Sequence, residues 1–310
     1  MAAWRRFLLL LGACMFLSTL SFYLWNMPQE RRGTIQSIQD LRKQLIRERC
    51  KEFPEMQRLE DITSKELLVN DNHTIIYCYI PKVACTNWKR IMYVLKQGKP
   101  YPDLNSISSD LVHQYGVIPL LKSFPKPERK AKLKHYTKFL VVRDTFVRLI
   151  SAYRDKFQSN NDYFYQLFSR DILRLYGNQP NPPMTVDEAN KAGLHVSFYN
   201  FIQYLVDPRT AKPFEPHWRP MHQVCHLCQI EYDFIGHQET LQQDAEQLLN
   251  FLNLEDDITF PPSYKNMTTS DSVLDWFNTV PLKDRRKLYK IYEEDFRLFG
   301  FRKPVELLDD

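Results

Sequence analysis

Two basic residues stand at the ends of short apolar segments. Lys82 lies two residues beyond the strand-like segment 75–80, and Arg143 directly follows the apolar segment 139–142. Parallel sheets bind ligands at the carboxyl ends of their strands, where loops and helix N-termini present unpaired N–H groups to anions. A guanidinium grips a phosphate with two parallel hydrogen bonds, and a lysine ammonium acts as a point charge. These residues therefore predict a site for a ligand that carries phosphate-like groups.

The residues after each cation fit the same chemistry. Ala84, Cys85, Thr86 and Asn87 are small or polar, so the backbone can wrap closely around a phosphate-sized group. The pattern GxxxxGK[ST] is absent, which disfavours an ordinary nucleoside triphosphatase or nucleotide kinase. In the second segment, Ser151 and Arg154 lie about two and three helical turns beyond Arg143. Each segment alone also has a structural explanation, since basic residues at strand ends are often only solvated.

The elements that must position these residues alternate between strand and helix patterns, as in an α/β domain. Strands are predicted over residues 75–80, 139–142 and 232–236, and near-continuous apolar strands favour a parallel sheet covered on both faces. Helices are predicted over about 87–95, 146–157 and 240–252. Asp144 is the expected N-cap of the second helix. Near the end, apolar residues recur at helical spacing up to Gly300, a helix stop.

Composition allows one large domain. The 310 residues are 44% apolar and 25% charged, which excludes a disordered or collagen-like chain. The formal net charge of +5 is too small for a dedicated nucleic-acid binder. Six cysteines suffice for one or two disulfides in an oxidising compartment.

The N-terminus predicts a membrane anchor. Residues 7–25 carry no charge and are long enough to cross a bilayer as a helix, and they lack a small-residue cleavage site. Arg5 and Arg6 precede this segment, so residues 1–6 are expected in the cytosol. We expect a signal anchor of a single-pass type II protein, a stem over residues 26–60 and a lumenal domain over residues 61–310.

The stem contains an amphipathic helical pattern. Ile35, Ile38, Leu41 and Leu45 recur every three or four residues. This stripe predicts either a short helix packed on the body or a self-associating stem that forms a homodimer. Cys50 either cross-links two stems or pairs within the chain.

The segments IPKVACTNWKR (80–90) and VVRDTFVRLISAYRDKF (141–157) resemble the 5′-phosphosulfate and 3′-phosphate binding segments of the Golgi carbohydrate sulfotransferases. That family includes the chondroitin and dermatan GalNAc 4-O-sulfotransferases, peptide-hormone GalNAc 4-O-sulfotransferases and the glucuronyl 3-O-sulfotransferase of the natural-killer-cell epitope. The resemblance extends over about residues 69–301 and includes HW at 217–218, CHLC at 225–228 and YDFIGHQETL at 232–241. In the second segment, Thr145 stands where the family usually has proline.

The resemblance implies transfer of a sulfuryl group from 3′-phosphoadenosine 5′-phosphosulfate to a sugar hydroxyl. It implies the sulfotransferase fold, a parallel sheet flanked by helices as in P-loop kinases, and no metal. Lys82 is expected to stabilise charge on the leaving phosphate, and Arg143 with Ser151 to hold the 3′-phosphate. The predicted donor-binding set is Pro81, Lys82, Val83, Ala84, Cys85, Thr86, Asn87, Trp88, Arg143 and Ser151.

The acceptor hydroxyl loses a proton during transfer, so a general base is expected, and histidine is the commonest choice near neutral pH. His113 is the first candidate, because the family carries a similarly placed histidine. His217 is the second, beside Trp218, whose indole either stacks on a sugar or packs in the core. Glu239 is a further candidate or a helix-capping acid, and His135, within a lysine run, is expected at the surface.

Several further sites remain as predictions. Asn72 and Asn266 begin N-glycosylation triplets. Cys225 and Cys228 predict a disulfide with each other rather than a zinc site with nearby histidines. Seven basic residues between 122 and 138 form either a polyanion-binding patch or a solvated loop. The expected acceptor is an acidic glycosaminoglycan or a glycoprotein glycan, and the Golgi lumen excludes nucleic acid. A non-catalytic, membrane-anchored glycan-binding protein is the alternative of another class.

Overall fold

The computed structural model describes residues 38–53, 62, 65–210, 214–262, 268 and 272–309. Four strands form one sheet: β1 (Leu67–Asn70), β2 (Ile75–Cys78), β3 (Thr137–Val142) and β4 (Phe234–His237). Residues 38–50 form helix α1. The further helices are α2 (Cys85–Gln97), α3 (Ser109–His113), α4 (Lys126–His135), α5 (Thr145–Lys156), α6 (Asp162–Phe164), α7 (Arg170–Tyr176), α8 (Val186–Lys191), α9 (Phe198–Val206), α10 (Met221–Val224), α11 (Leu241–Phe251), α12 (Val273–Phe277), α13 (Leu282–Phe299) and α14 (Val305–Leu308).

The sheet has the strand order β1-β2-β3-β4. The three predicted strands are confirmed, and β2, β3 and β4 are parallel. Their residues are almost entirely buried, which explains the continuous apolar sequence pattern. Strand β1 is not predicted from the sequence; it pairs antiparallel with β2 across the short turn 71–74. Asn72 is exposed in that turn, whereas Asn266 lies outside the described residues.

Two strand–turn–helix units, β2–α2 and β3–α5, carry the residues that sequence analysis singled out. The predicted N-cap of α5 is confirmed, because the Asp144 carboxylate accepts hydrogen bonds from the backbone N–H groups of Phe146 and Val147. The helix buries its predicted apolar face in an aromatic core that includes α9 and α13. A second core surrounds the sheet. Gly300 ends α13 in the left-handed conformation, as predicted.

Helix α1 packs on the body, which is one of the two predicted alternatives. The predicted stripe lies only partly in the contact, since Ile38 and Leu45 are half-buried. Leu41 is 65% exposed, whereas Gln39 and Ile46 are buried. The Gln39 side-chain amide donates to the carbonyl oxygen of Ile235 and accepts from its N–H group, so it satisfies backbone groups of the edge strand β4. The pattern of apolar residues does not predict this contact, because a polar glutamine is normally assigned to the exposed face of a helix. Ile35 lies outside the described residues.

The cysteine pairing differs from the prediction. Cys225 and Cys228 are not bonded to each other: Cys228 pairs with Cys50 of α1, and Cys225 pairs with Cys78 of β2. Cys50 therefore forms an intramolecular bridge and is not available to cross-link two stems. Cys85 is the one free cysteine within the described part of the chain. Because four cysteines are held in disulfides, the zinc alternative at residues 225–228 has no thiolate ligands.

The Cys78–Cys225 bridge is expected to contribute strongly to stability, since it joins fully buried positions. The Cys50–Cys228 bridge already encloses it, so the additional path that it closes is about 31 residues long. Loop-closure entropy predicts a loss of about 3–5 kcal/mol of unfolding free energy in the double variant Cys78→Ala/Cys225→Ala. Urea unfolding of the full-length chain measures this loss. Cys85→Ala, which removes a free thiol, serves as the control. A loss below about 1 kcal/mol in the double variant contradicts the prediction.

Within the described ranges, no helix combines the length and the apolar character needed to cross a membrane. The predicted anchor, residues 7–25, lies outside those ranges.

Candidate active site

An open cleft of about 1020 Å³ lies where β2 and β3 end. This volume is at the upper end of the roughly 300–1,000 Å³ of small-molecule sites, so the cleft can take a nucleotide-sized ligand together with part of a second one. Its lining includes five basic side chains and two aspartates: Lys82, Arg90, Arg143, Arg154 and Lys156, with Asp110 and Asp155. The excess of positive charge suits anionic ligands.

The loop between β2 and α2 adopts a conformation that is unusual for its residues. Lys82 and Ala84 have φ values of 74° and 61°, in the left-handed region that glycine normally occupies. Backbone turns of this kind point successive N–H groups into a concave surface that binds anions. The following helix α2 has no side-chain cap and no acidic residue in its first turn. The loop and the helix N-terminus therefore present free N–H groups and a positive dipole to a ligand.

The Lys82 ammonium lies 3.1 Å from the Asp155 carboxylate on α5, and Lys156 contacts the same oxygen at 3.0 Å. Burial raises the pKa of Asp155, but the two lysines outweigh it and hold this pKa below its ordinary value. Asp155 thus stays ionised and fixes Lys82 within the cleft. Asp155 is not among the predicted site residues, although it lies one helical turn after Ser151 and shares its face of α5.

Arg143 is almost completely buried and stabilises the strained loop. Its Nη1 donates to the carbonyl oxygen of Lys82 at 3.0 Å, and its Nη2 donates to the carbonyl oxygen of Thr268. Both Nη atoms therefore contact backbone oxygens, although the sequence predicts that this guanidinium binds a phosphate. Among the described residues, the other three of the five guanidinium N–H groups have no acceptor. Burial lowers the pKa of Arg143 to about 10, so the side chain is still charged at neutral pH.

Arg154 lies in the same segment as Arg143 and Ser151, and its sequence context predicts no role for it. Its side chain is exposed in the cleft, and Nη1 donates to the hydroxyl of Thr268 at 3.0 Å. Arg154 lies on the same helix as Ser151, about one turn further along. Arg143, Ser151 and Arg154 thus form one wall of the cleft, which carries two guanidinium groups.

Arg148 is fully buried and joins two walls of the cleft. Its guanidinium donates to the carbonyl oxygen of Pro81 at 3.1 Å, on the lysine loop. It also donates to the carbonyl oxygens of Pro216 and Arg219, at 2.6 and 2.9 Å, on the loop that carries His217. Arg148 therefore sets the position of one loop relative to the other. Arg148 is not among the predicted site residues, because it lies between the apolar residues of α5 and belongs to no motif.

His113 lies at the end of α3, next to α2. Its Nε2 is 3.1 Å from the hydroxyl of Thr86, and its Nδ1 is 3.2 Å from the ammonium of Lys89. Partial burial and the positive charge of Lys89 lower the pKa of His113 to about 4. The ring is therefore neutral near pH 7, and both of its nitrogens already have partners.

His217 faces the same cleft from the opposite loop. The carboxylate of Glu215 lies 2.8 Å from the ring Nδ1 and accepts a 2.7 Å hydrogen bond from the backbone N–H of His217. The edge of the Phe164 ring packs against the imidazole. Burial lowers the pKa of His217, while the Glu215 carboxylate opposes this shift.

The structure brings most of the predicted site residues together. The following ten line the cleft: Pro81, Lys82, Ala84, Cys85, Thr86, Asn87, His113, Arg143, Ser151 and His217. The side chains of Val83 and Trp88 do not, since they are 0% and 1% exposed in the core around the sheet. Any contact of these two residues with a donor is therefore limited to the backbone. Trp218 is also buried in an aromatic core, which excludes stacking of its indole on a sugar.

The remaining candidates lie elsewhere. Glu239 accepts a 2.7 Å hydrogen bond from the backbone N–H of Asp144 and so stabilises the turn after β3. His135 is exposed on α4, as expected. Two of the basic residues between 122 and 138, Lys132 and Lys138, form ion pairs with Asp71 and Asp233. Two of the seven basic residues are therefore already neutralised by carboxylates, which weakens the prediction of a polyanion-binding patch.

Three parallel strands, two strand–turn–helix units and a wide basic cleft at the strand ends are typical of proteins that bind a phosphate-bearing ligand. A sequence model of the Sulfotransferase family matches residues 65–302, and the chain belongs to that family. It is similar to mouse carbohydrate sulfotransferase 12, with 49% identity over 87% of this chain and 70% of that protein. Its identity to rat carbohydrate sulfotransferase 11 is 34%, over 91% of this chain and 81% of that protein. No solved structure matches the chain significantly.

Membership of the family makes the protein an enzyme that transfers sulfate to carbohydrate, and the family's donor is 3′-phosphoadenosine 5′-phosphosulfate. The residues of the cleft fit that donor, which carries anionic groups at two ends. The lysine loop and the start of α2 line one part of the cleft, and Arg143, Ser151 and Arg154 line another. Basic groups therefore stand at two places in the cleft, as a donor with two anionic ends requires.

Proposed function

We propose that the protein transfers a sulfuryl group from 3′-phosphoadenosine 5′-phosphosulfate to the 4-hydroxyl of N-acetylgalactosamine in chondroitin or dermatan. The observation that carries this proposal is that the lysine loop and the Arg143–Ser151 wall line one cleft, with two histidines beside them. Lys82 and the N–H groups of the loop stabilise the charge that develops on the leaving phosphate. Arg143 and Ser151 hold the 3′-phosphate of the donor.

The acceptor part of the proposal rests on sequence resemblance. The segment 80–90 is similar to that of the chondroitin enzymes, and the basic lining of the cleft suits an acidic glycosaminoglycan. The C-terminal segment 285–304 instead resembles the glucuronyl 3-O-sulfotransferase. The second candidate is therefore the same reaction on terminal N-acetylgalactosamine or on the 3-hydroxyl of a terminal glucuronic acid.

The location belongs to the same proposal: a type II protein of the Golgi membrane with its catalytic domain in the lumen. The apolar segment 7–25 after Arg5 and Arg6 supports this orientation. Two disulfides support an oxidising compartment, since such bonds are rare in the cytosol.

The decisive assay uses the full-length chain and donor labelled in its sulfate group. Four acceptors are offered in parallel: desulfated chondroitin, dermatan, a terminal-GalNAc glycan and a terminal-glucuronyl glycan. The expected result is label at the 4-position of GalNAc in chondroitin or dermatan. Label in another acceptor alone moves the assignment to that sugar. If donor binds and none of the four is labelled, the proposed acceptor class is wrong.

Arg143→Ala is expected to weaken binding of 3′,5′-adenosine bisphosphate about 10- to 100-fold, since hydrogen bonds to a charged group contribute about 1.5–3 kcal/mol. Arg143 also holds the Lys82 loop, so its loss could weaken binding without any contact to the 3′-phosphate. The affinity for adenosine 5′-monophosphate, which lacks that phosphate, is therefore measured as well. If Arg143 contacts the 3′-phosphate, the ratio of the affinity for the bisphosphate to that for the monophosphate falls in the variant.

Calorimetry on the full-length chain gives both affinities. Arg129→Ala, on α4 and outside the cleft, is the control and is expected to change neither. An equal loss for the two nucleotides means that Arg143 acts only on the loop. Unchanged affinity for the bisphosphate removes Arg143 from the donor site.

A further inference from the structure

The proposed reaction needs a group that removes the proton of the acceptor hydroxyl, and two histidines line the cleft. Their hydrogen-bond partners differ in kind. His113 lies between a hydroxyl and an ammonium, whereas His217 is paired with a carboxylate. These partners decide which ring nitrogen carries a proton and which one is free to accept it.

The partners of His113 leave it no free basic nitrogen. Burial lowers the pKa of Lys89, and the negative charge of Glu66 opposes this shift. Lys89 also lies 3.6 Å from the centre of the Tyr79 ring, a contact that stabilises its ammonium form. An ammonium has only donors, so Nδ1 of His113 must accept from Lys89. The ring proton is then on Nε2, which donates to the hydroxyl of Thr86. His113 in this state positions Thr86 in the donor loop and has no lone pair for a substrate.

The partner of His217 has the opposite effect. A carboxylate only accepts, so the Glu215 carboxylate fixes the proton of the neutral ring on Nδ1. The lone pair is then on Nε2. Within the described residues, Nε2 of His217 has no hydrogen-bond partner, and the residue lines the cleft.

The ring is held in this orientation from three sides. Glu215 binds both the backbone N–H and the Nδ1 of His217. Phe164 packs edge-on against the imidazole. Arg148 fixes the carbonyl oxygen of Pro216, the residue before His217. A base fixed within its own loop in this way is preorganised for a substrate in the cleft.

We propose that Nε2 of His217 is the general base of sulfuryl transfer, that Glu215 is its positioning residue, and that His113 is a positioning residue for Thr86. This inference rests on the proposed function. In the step, the acceptor hydroxyl oxygen forms a bond to sulfur as its proton moves to Nε2. The bond between sulfur and the bridging oxygen of the donor breaks, and its electron pair stays on the phosphate. Glu215 stabilises the imidazolium that results, which later releases its proton to solvent.

The charges that face His217 give the sign of the pH dependence. The negative charge of Glu215 raises the pKa of the imidazole, whereas Lys156 of α5, Lys82 of the donor loop and burial lower it. His113 of α3 also has an electrostatic interaction with His217. Transfer requires neutral His217, so kcat falls as pH decreases through its pKa. Glu215→Gln removes the charge that raises this pKa, so the acid limb must move to lower pH.

The test measures kcat from pH 5 to 9 and the affinity for 3′,5′-adenosine bisphosphate in the full-length chain. His217→Ala is expected to lower kcat about 100-fold at unchanged nucleotide affinity. Glu215→Gln is expected to lower kcat about 10-fold and to move the acid limb to lower pH. His113→Ala is the matched control: its kcat falls less than 10-fold and its acid limb stays in place.

Three results overturn the inference: wild-type kcat in His217→Ala, an unmoved acid limb in Glu215→Gln, or a 100-fold loss in His113→Ala with a small loss in His217→Ala. Failure of the proposed function is a separate outcome, because it shows as absence of transfer by the wild-type chain. Unchanged nucleotide affinity in His217→Ala distinguishes loss of the base from misfolding.

Discussion

Lys82→Ala is expected to lower kcat for sulfuryl transfer about 100- to 1000-fold, equivalent to about 2.7–4 kcal/mol of transition-state stabilisation. Charge builds on the leaving phosphate only as the bond to sulfur breaks, so a preorganised cation acts on the transition state more than on the bound donor. Lys82 is preorganised by its ion pair with Asp155 and by its left-handed backbone. Lys156 contacts the same Asp155 oxygen, but from α5 and not from the loop, so it is not expected to replace Lys82.

Steady-state transfer of labelled sulfate by the full-length chain measures the effect, together with affinity for 3′,5′-adenosine bisphosphate. Lys96→Ala is the control, because Lys96 lies at the other end of α2 and contacts the backbone of Val117. It is expected to keep wild-type kcat. Near-normal turnover of Lys82→Ala would falsify the role of this lysine. A loss confined to nucleotide affinity would make Lys82 a binding residue only.

The second large effect is expected from Arg148→Met. The methionine fills part of the volume but leaves three carbonyl oxygens, of Pro81, Pro216 and Arg219, without their donor. Each buried unpaired group costs about 1–3 kcal/mol, and removal of the buried charge offsets part of this cost. The expected loss of unfolding free energy is about 3–5 kcal/mol, or roughly 10 °C in Tm.

Thermal unfolding of the full-length chain tests this prediction. Arg154→Ala is the matched control, since Arg154 lies on the same helix with an exposed side chain, and it is expected to shift Tm by less than about 2 °C. Because Arg148 joins the lysine loop to the His217 loop, the variant should also lose transfer activity at temperatures where it is still folded. Equal Tm values for the two variants would contradict the role of Arg148.

Much of the fold and the donor site follows from local sequence. A buried parallel strand needs continuous apolar residues, so 75–78, 139–142 and 234–236 are recognisable in isolation. Asp144 caps α5 through contacts with residues two and three positions away, and Gly300 ends α13 by its own backbone freedom. The lysine loop and the Arg143 segment follow strands that become neighbours, which places their residues in one cleft.

Other features join residues that are far apart in the chain, and only the tertiary structure decided them. Cys50 and Cys228 are 178 positions apart, and spacing alone favoured the neighbouring Cys225 as the partner of Cys228. The three carbonyl partners of Arg148 lie more than 60 positions away from it. The roles of His113 and His217 likewise depend on whether a lysine or a glutamate faces the ring. Local patterns determine whether each segment tends to form a helix or a strand. The position of a ring proton and the partner of a cysteine depend instead on contacts that exist only after the segments have packed.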